Sequence, residues 1–242
     1  ISIHEIDGEM IRDTLTDWFR GAIAEIRIWA IAQSPQQIQA NRHQRIQNQP
    51  TAHLAGHWLF EQGTGNTITN WVTGAKGTTV KTRWLRATQY PAVPLPFCLN
   101  LDGETCTGID CGAPTLSDAT GGLSPDTTLE AWVKHQSGDG PLMDYQGSYT
   151  LHWHRGHLRL VIHTIQETWA IFETQSPLPP DHLWHHIAVA WDTDEVTGTT
   201  CTVTMYVDGR QQNVIAIEGE SRSLLAGGQY QSVGQFTGPF HP

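Results

Sequence analysis

Apolar and polar residues alternate with a period of two through much of the chain, and clusters of Gly, Asn, Asp and Pro break the alternation. The run from Ala22 to Trp29 is one such segment. Read as a strand, it puts Ala22, Ala24, Ile26 and Ile28 on one face and Ile23, Glu25, Arg27 and Trp29 on the other. Glu25 and Arg27 then pair along a solvated face. Just beyond, the period changes. Ser34-Pro35-Gln36-Gln37 spells an N-cap, a first helical position and a capping-box partner. It predicts a short amphipathic helix through Ile38 and Ile46, ending near Asn48-Gln49-Pro50.

Further strands follow at short intervals. His53–Phe60 sets Leu54, Gly56, Trp58 and Phe60 against His53, Ala55, His57 and Leu59. Thr67–Val72 is a short strand, and residues 73–96, with Gly74, Gly77, Pro91, Pro94 and Pro96, read as an irregular connector. Then come Phe97–Asp102, Ile109–Gly112 and Thr127–His135, the last with Leu129, Ala131 and Val133 opposite Glu130, Trp132 and Lys134. Leu142–Tyr145, Tyr149–His154, Leu158–Thr164, Thr168–Glu173, Trp184–Trp191 and Cys201–Val207 continue the series. Asp208-Gly209 is a two-residue hairpin signal, and Gln211–Ile217 returns. The expected class is all-β: an antiparallel two-sheet jelly-roll sandwich with one short α-helix after the Ala22–Trp29 strand.

Composition narrows the function classes. A net charge of −10 over 242 residues argues against nucleic acid and anionic membranes as partners. No apolar run reaches the roughly 18 residues a membrane span needs. The chain opens without Met or a leader-like segment, so a processed chain or a piece of a longer protein is expected. The four cysteines, Cys98, Cys106, Cys111 and Cys201, have no CxxC spacing. Their even number, few lysines and abundant Thr, Gln and Asn point to an extracellular setting with disulfides. A local Cys106–Cys111 bridge leaves Cys98 with Cys201, although four cysteines allow three pairings.

Several segments carry a family resemblance. GHWLFEQGTGNTITN resembles the opening strand and turn of laminin-G-like, concanavalin A-like jelly rolls, and LNLDGETCTGIDCG their strand-DG-loop-strand segment. TTLEAWVK resembles their central strand, LWHHIAVAW and TMYVDGR their hairpin strands, and FRGAIAEIRIW with SPQQIQAN their closing strand and trailing helix. The resemblance covers most of residues 18–238. It implies lectin-like, adhesive or accessory modules, more distantly glucanases, and often calcium at a rim. Two departures weaken an inherited calcium site: Ala24 replaces an acid in the closing strand, and Cys106 and Cys111 replace the acidic pair of the DG loop.

The order of segments is unusual for this family, because the closing strand comes first. Residues 1–50 read as the closing strand and trailing helix of a preceding or partner jelly roll. Residues 51–96 are an opening strand and connector, and 97–242 the main body lacking its last strand. Residues 1–8 also echo residues 231–238, as a tandem repeat cut out of phase would. Three closures are open: the chain's own N-terminal strand folds back, a neighbour's strand inserts, or the segment belongs to a longer array. The assembly residues are Phe19, Ala22, Ile23, Glu25, Ile26, Arg27, Ile28 and Trp29.

Candidate chemistry is sparse. No ExDxxE-like carboxylate pair occurs, and Asp192-Thr193-Asp194-Glu195 reads as a turn. No nucleophile elbow is present. His152 and His154 share a strand face near His157 and His163, which read as an exposed face before a zinc site, and His185-His186 reads as packing. Asp102, Glu104 and Asp110 are the candidate calcium ligands, with no other cofactor expected. Trp71, Trp84, Tyr90, Trp153 and Trp169 are candidate sugar-stacking platforms. The leading expectation is a non-catalytic extracellular structural or adhesive module that joins copies of itself into a filament or tandem array, residues 18–29 completing a neighbour's sandwich. The alternative is a monomeric module binding extracellular glycans, its N-terminal strand closing its own domain. A glycoside hydrolase ranks third.

Overall fold

The computed structural model describes residues 3–6, 9–12, 18–46, 51–87, 96–104, 107–111, 126–145, 149–163, 169–178, 181–193, 201–218 and 231–233. Its strands are β1 (Ile3–Ile6), β2 (Glu9–Arg12) and β3 (Arg20–Trp29), then, after α1 (Pro35–Asn41), β4 (Leu54–Leu59), β5 (Thr67–Thr69), β6 (Lys76–Val80), β7 (Arg83–Arg86), β8 (Phe97–Asp102) and β9 (Gly108–Asp110). The series continues with β10 (Thr127–Ser137), β11 (Gly140–Tyr145), β12 (Tyr149–His154), β13 (His157–His163), β14 (Trp169–Thr174) and β15 (His185–Thr193). It ends with β16 (Cys201–Val207), β17 (Arg210–Gln212), β18 (Val214–Glu218) and β19 (Gln231–Val233).

The fold is an all-β, antiparallel two-sheet jelly roll. The first sheet runs β17-β16-β15-β10-β3-β8-β7, with β4 also on β3, and the second runs β18-β14-β13-β12-β11-β19-β9-β6-β5. Among the described residues β1 and β2 pair only with each other. The supposed connector holds two strands, β6 and β7. Thr78, Thr79 and Val80, and then Trp84 and Leu85, suit pleated surface well enough to override the nearby glycines and prolines.

β3 is the organising strand. One edge pairs with β10 along its length, from Thr128↔Trp29 to Ser137↔Arg20. Its other edge is divided: Arg20–Ile23 pairs with β8 and Glu25–Trp29 with β4. The chain's own N-terminal strand therefore sits inside its own sandwich. At Gly21 a β-carbon would run into the Lys134 carbonyl and the Phe19 ring, so only glycine lets β3 lie this close to β10.

A bulge at Ala24 corrects the expected phase of this strand. Trp132 pairs with Glu25 and Val133 with Ile23, which leaves Ala24 over and flips the faces on either side. Ile23 thus joins Ile26 and Ile28 in the inter-sheet core, while Ala22 and Ala24 pack on the outer face with Leu59, Cys98, Trp132 and Trp184. Ile23, Ile26 and Ile28 share this core with Tyr149, Leu151, Leu160 and Phe172 of the second sheet. Burying each such side chain contributes about 1.5–3 kcal/mol.

The capping box forms as the sequence spells it: Ser34 Oγ accepts from the Gln37 amide at 3.3 Å, and Gln37 Oε1 accepts from the Ser34 amide at 2.8 Å. The helix ends at Asn41, short of the expected end near Asn48, because its single buried apolar residue is Ile38, seated on Ala188 and Tyr206. Just past the helix, the Arg42 guanidinium donates to the Asp208 carbonyl and so ties α1 to the β16–β17 turn.

Candidate functional site

Two polar clusters flank the central strands. The first lies on the outer face of the first sheet, beneath α1 and the residues after it. Arg27 Nε and Nη2 both approach Glu25 Oε1 at 2.7 Å, and His57 Nε2 lies 2.8 Å from the same oxygen. Arg27 also donates to the carbonyls of Asn41 (2.8 Å) and Gln44 (2.5 Å) and stands 3.7 Å from Glu130 Oε2, which accepts from the Trp29 indole at 3.2 Å. The Glu25–Arg27 pair expected from the sequence forms, but on a sealed surface and not a solvated one: Glu25 is 4% exposed, Arg27 2% and Glu130 1%. Covering this face with α1 replaced water by backbone carbonyls and by opposite charge.

The three titratable groups here respond differently. Burial pushes Glu25 up, but Arg27 and His57 outweigh it and hold the carboxyl below its usual range. Burial pushes Glu130 up to about 7, since Arg27 and the Trp29 N–H offset it only in part. Burial pushes His186 down to about 3.

The second cluster is a cleft at one end of the sandwich, lined by Val133, His135, Trp153, Leu178, Asp181, His185 and Val207. The His135 ring is stacked between Phe19 (centroids 5.7 Å apart, 24°) and Trp153 (4.4 Å, 30°). Opposite, His185 Nδ1 lies 2.8 Å from Asp208 Oδ2, and its Nε2 lies 3.1 Å from both oxygens of Asp181. The hydrogen bond to Asp208, aided by Asp181, raises His185 to about 9. For Asp181 and Asp208, burial raises the carboxyl, but backbone amides and His185 outweigh it and both are lowered. His135 is lowered, chiefly by burial. The cavity holds about 60 Å³. Sites that enclose whole ligands hold roughly 300–1,000 Å³, so this cleft takes one substituent and not a ring.

The other predicted residues are scattered. Phe19, Ala22, Ile23, Glu25, Ile26, Arg27, Ile28 and Trp29 are all buried in the chain's own fold. Cys98 and Cys111 are free thiols, so neither the Cys106–Cys111 nor the Cys98–Cys201 bridge is formed. Cys98 packs on the outer face and bonds the Leu85 carbonyl at 3.6 Å, while Cys111 sits in the inter-sheet core. Cys106 and the side chain of Cys201 lie outside the described residues.

The calcium set is not assembled. Asp102 Oδ1 accepts from Thr107 Oγ1 (2.8 Å) and the Glu104 amide (3.1 Å), so it serves a turn, while Asp110 belongs to β9 in the other sheet. Among the described residues no three His, Cys, Asp or Glu side chains are grouped to hold a metal ion.

Of the aromatic candidates, Trp71 is 45% exposed, Trp84 donates to the Gly65 carbonyl at 2.8 Å and packs on the core, and Trp153 is 2% exposed, so it offers no stacking face to solvent. The Trp169 side chain and Tyr90 lie outside the described residues. Sequence reasoning missed His135 and Asp181. His135 had a legible signal: it continues the inward phase of Leu129, Ala131 and Val133, a polar residue where an apolar one is expected.

Residues 112–241, more than half the chain, match the family model of the concanavalin A-like lectin/glucanases superfamily, and the chain belongs to that superfamily. Among solved structures, the binding domain of Paraclostridial Mosquitocidal Protein 1 is similar in fold, with a TM-score of 0.50 at 11% identity over 75% of this chain. The chain spans 47% of that structure's length. No curated protein matches its sequence. Among the described residues no helix is long and apolar enough to cross a membrane.

Proposed function

We propose that the chain is a non-catalytic, extracellular binding module whose N-terminal strand closes its own sandwich and which engages glycans as a monomer. The observation that carries this reading is the seat of β3, paired along both edges within one chain and clamped by Arg27. Among the described residues β3 occupies the place that a neighbour's strand would take, which weakens the motive for the filament reading. The non-catalytic part is supported by the burial of the two carboxylates that share Arg27. Glu25 and Glu130 lie beneath α1, where no substrate reaches them. The fold and its binding-domain neighbour are consistent with ligand binding.

The test is light scattering on the full chain across a hundredfold concentration range, followed by a glycan array. A monomer with saturable glycan binding supports the reading. Concentration-driven fibres would sink it and restore strand exchange. One feature keeps self-association as a second reading: β18 is the outermost strand of its sheet, and Ile215 (42%) and Ile217 (45%) are exposed on it.

A further inference from the structure

Buried side-chain nitrogens without a partner among the described residues also occur at Trp58, Trp191, His186 and Arg42, but those of His135 and Trp153 lie on stacked rings that line a cavity. His135 Nε2 lies 2.9 Å from the Gly138 carbonyl oxygen, which only accepts, so Nε2 carries the hydrogen. In the neutral ring the other nitrogen, Nδ1, then holds a lone pair. Burial keeps this ring neutral. Nδ1 is buried and has no partner among the described residues, and neither does the indole Nε1–H of Trp153, whose ring is stacked on that of His135. The residues are 93% and 98% buried, since His135 is 7% and Trp153 2% exposed. Leaving such a group unmet costs about 1–3 kcal/mol. Here one donor and one acceptor are left unmet on adjoining rings that both line the cavity.

The chemistry selects the occupant. A carboxylate or phosphate would satisfy the indole but face the lone pair of His135 and the charge of Asp181. An ammonium would suit Asp181 and His135 but leave the indole unmet and meet the His185 cation. A hydroxyl both accepts and donates, so it answers the two nitrogens at once. The cavity of about 60 Å³ admits a hydroxyl or hydroxymethyl group and leaves the rest of the ligand outside, beside the exposed Asp181 carboxylate and the apolar Leu178 and Val207.

We infer that the end cleft is a subsite for one hydroxyl or hydroxymethyl group of a neutral saccharide, held between the Trp153 indole N–H and His135 Nδ1, with Asp181 accepting from a neighbouring hydroxyl. This rests on the binding-module reading and adds the place and the group recognised. Both nitrogens are shielded from solvent, so the ligand reaches them only once the stacked rings part.

The experiment titrates the full, ¹⁵N-labelled chain with glucose, galactose, mannose and N-acetylglucosamine and follows the indole N–H signals, that of Trp153 assigned by Trp153→Phe. The expected result is a saturable downfield shift of the Trp153 signal with at least one sugar. His135→Phe, which keeps the stack and removes the acceptor, then weakens that sugar about fivefold to tenfold. The deoxy form of the same sugar weakens to a similar degree and needs no protein variant. Trp71 shifting while Trp153 stays silent overturns the subsite and leaves the binding-module reading standing. Silence of every indole, together with an empty glycan array, overturns both. Unchanged affinity in His135→Phe and for the deoxy sugar overturns the hydroxyl assignment.

Discussion

His185 and His186 are neighbours in β15 and behave as opposites. His185, in phase with Ile187 and Val189, reaches the mouth of the end cleft, is bonded by Asp208 and Asp181, and is raised to about 9. His186, in phase with Ala188, sits beneath α1 at 1% exposure, edge-on to Trp132 with centroids 5.4 Å apart, and is lowered to about 3. One residue type on one strand is a fixed cation on one face and a neutral ring on the other. The strand gives both the same backbone; the covering layer decides the charge. Beneath α1 the covering layer is helix and loop, and the charges there must satisfy one another. Nitrogens without a partner among the described residues occur on both sides, His186 Nδ1 beneath α1 and His135 Nδ1 and Trp153 Nε1 at the cleft, but only the latter two belong to residues that line an opening.

Breaking the sealed side should give the largest effect. Arg27→Met strands Glu25 and Glu130 without their shared cation, and a loss of about 3–5 kcal/mol is expected in denaturant melts. A loss under about 1 kcal/mol would mean that the cluster is better solvated than its burial indicates.

The next test uses pH. Glu130 in the folded state titrates at about 7, above its ordinary value of 4.5, so the folded state holds its proton more tightly than the unfolded state. Stability should therefore fall as pH rises from about 4.5 through 7, by at most on the order of 3 kcal/mol. Glu130→Gln should flatten this slope, and a wild-type curve already flat over this range would contradict the assignment. Glu25 acts in a separate window. Its lowered carboxyl contributes stability that is present above 4.5 and lost as pH falls below it.

The open side should give the smallest effect. His185 is raised from 6.5 to about 9, so its contribution is complete below 6.5 and disappears as pH rises through 9. Asp181 and Asp208 are partly exposed, and solvent screening limits the effect to about 1 kcal/mol or less. Thermal melts of His185→Gln at pH 6 and pH 10 should differ from wild type at the lower pH and converge at the higher. Divergence at pH 10 would assign His185 a packing role instead.

Much of this architecture was legible because alternation reports burial directly. Leu129, Ala131 and Val133 share one face as read, and that face is the core, while the Ser34–Gln37 capping box formed as spelled. The phase of β3 was not legible, because the bulge at Ala24 depends on how β10 lies against it, and Ala24 itself looks like any other strand residue. The sealing of Glu25 and Arg27 depends on where α1 lands, and α1 gives no hint of a charged floor since its own buried residue is Ile38. The cleft was half legible. Trp153 stands out in the sequence as an aromatic, but its value lies in an indole nitrogen without a partner among the described residues and not in an exposed ring. Asp181 reaches its place through tertiary contact alone.

The position of β3 also sets an order of events in time. Trp29 and its partner Glu130 are 101 positions apart, so at about 5–20 residues per second a ribosome makes the central strand several seconds before β10 exists. What exists first is the span from β3 through α1 to β4, which already holds Glu25, Arg27, His57 and the Asn41 and Gln44 carbonyls. That span can assemble around Arg27 while its outer edge waits for β10. The ion cluster is then a nucleus available early in synthesis, and Glu130 and His186 join an arrangement whose other half is already made.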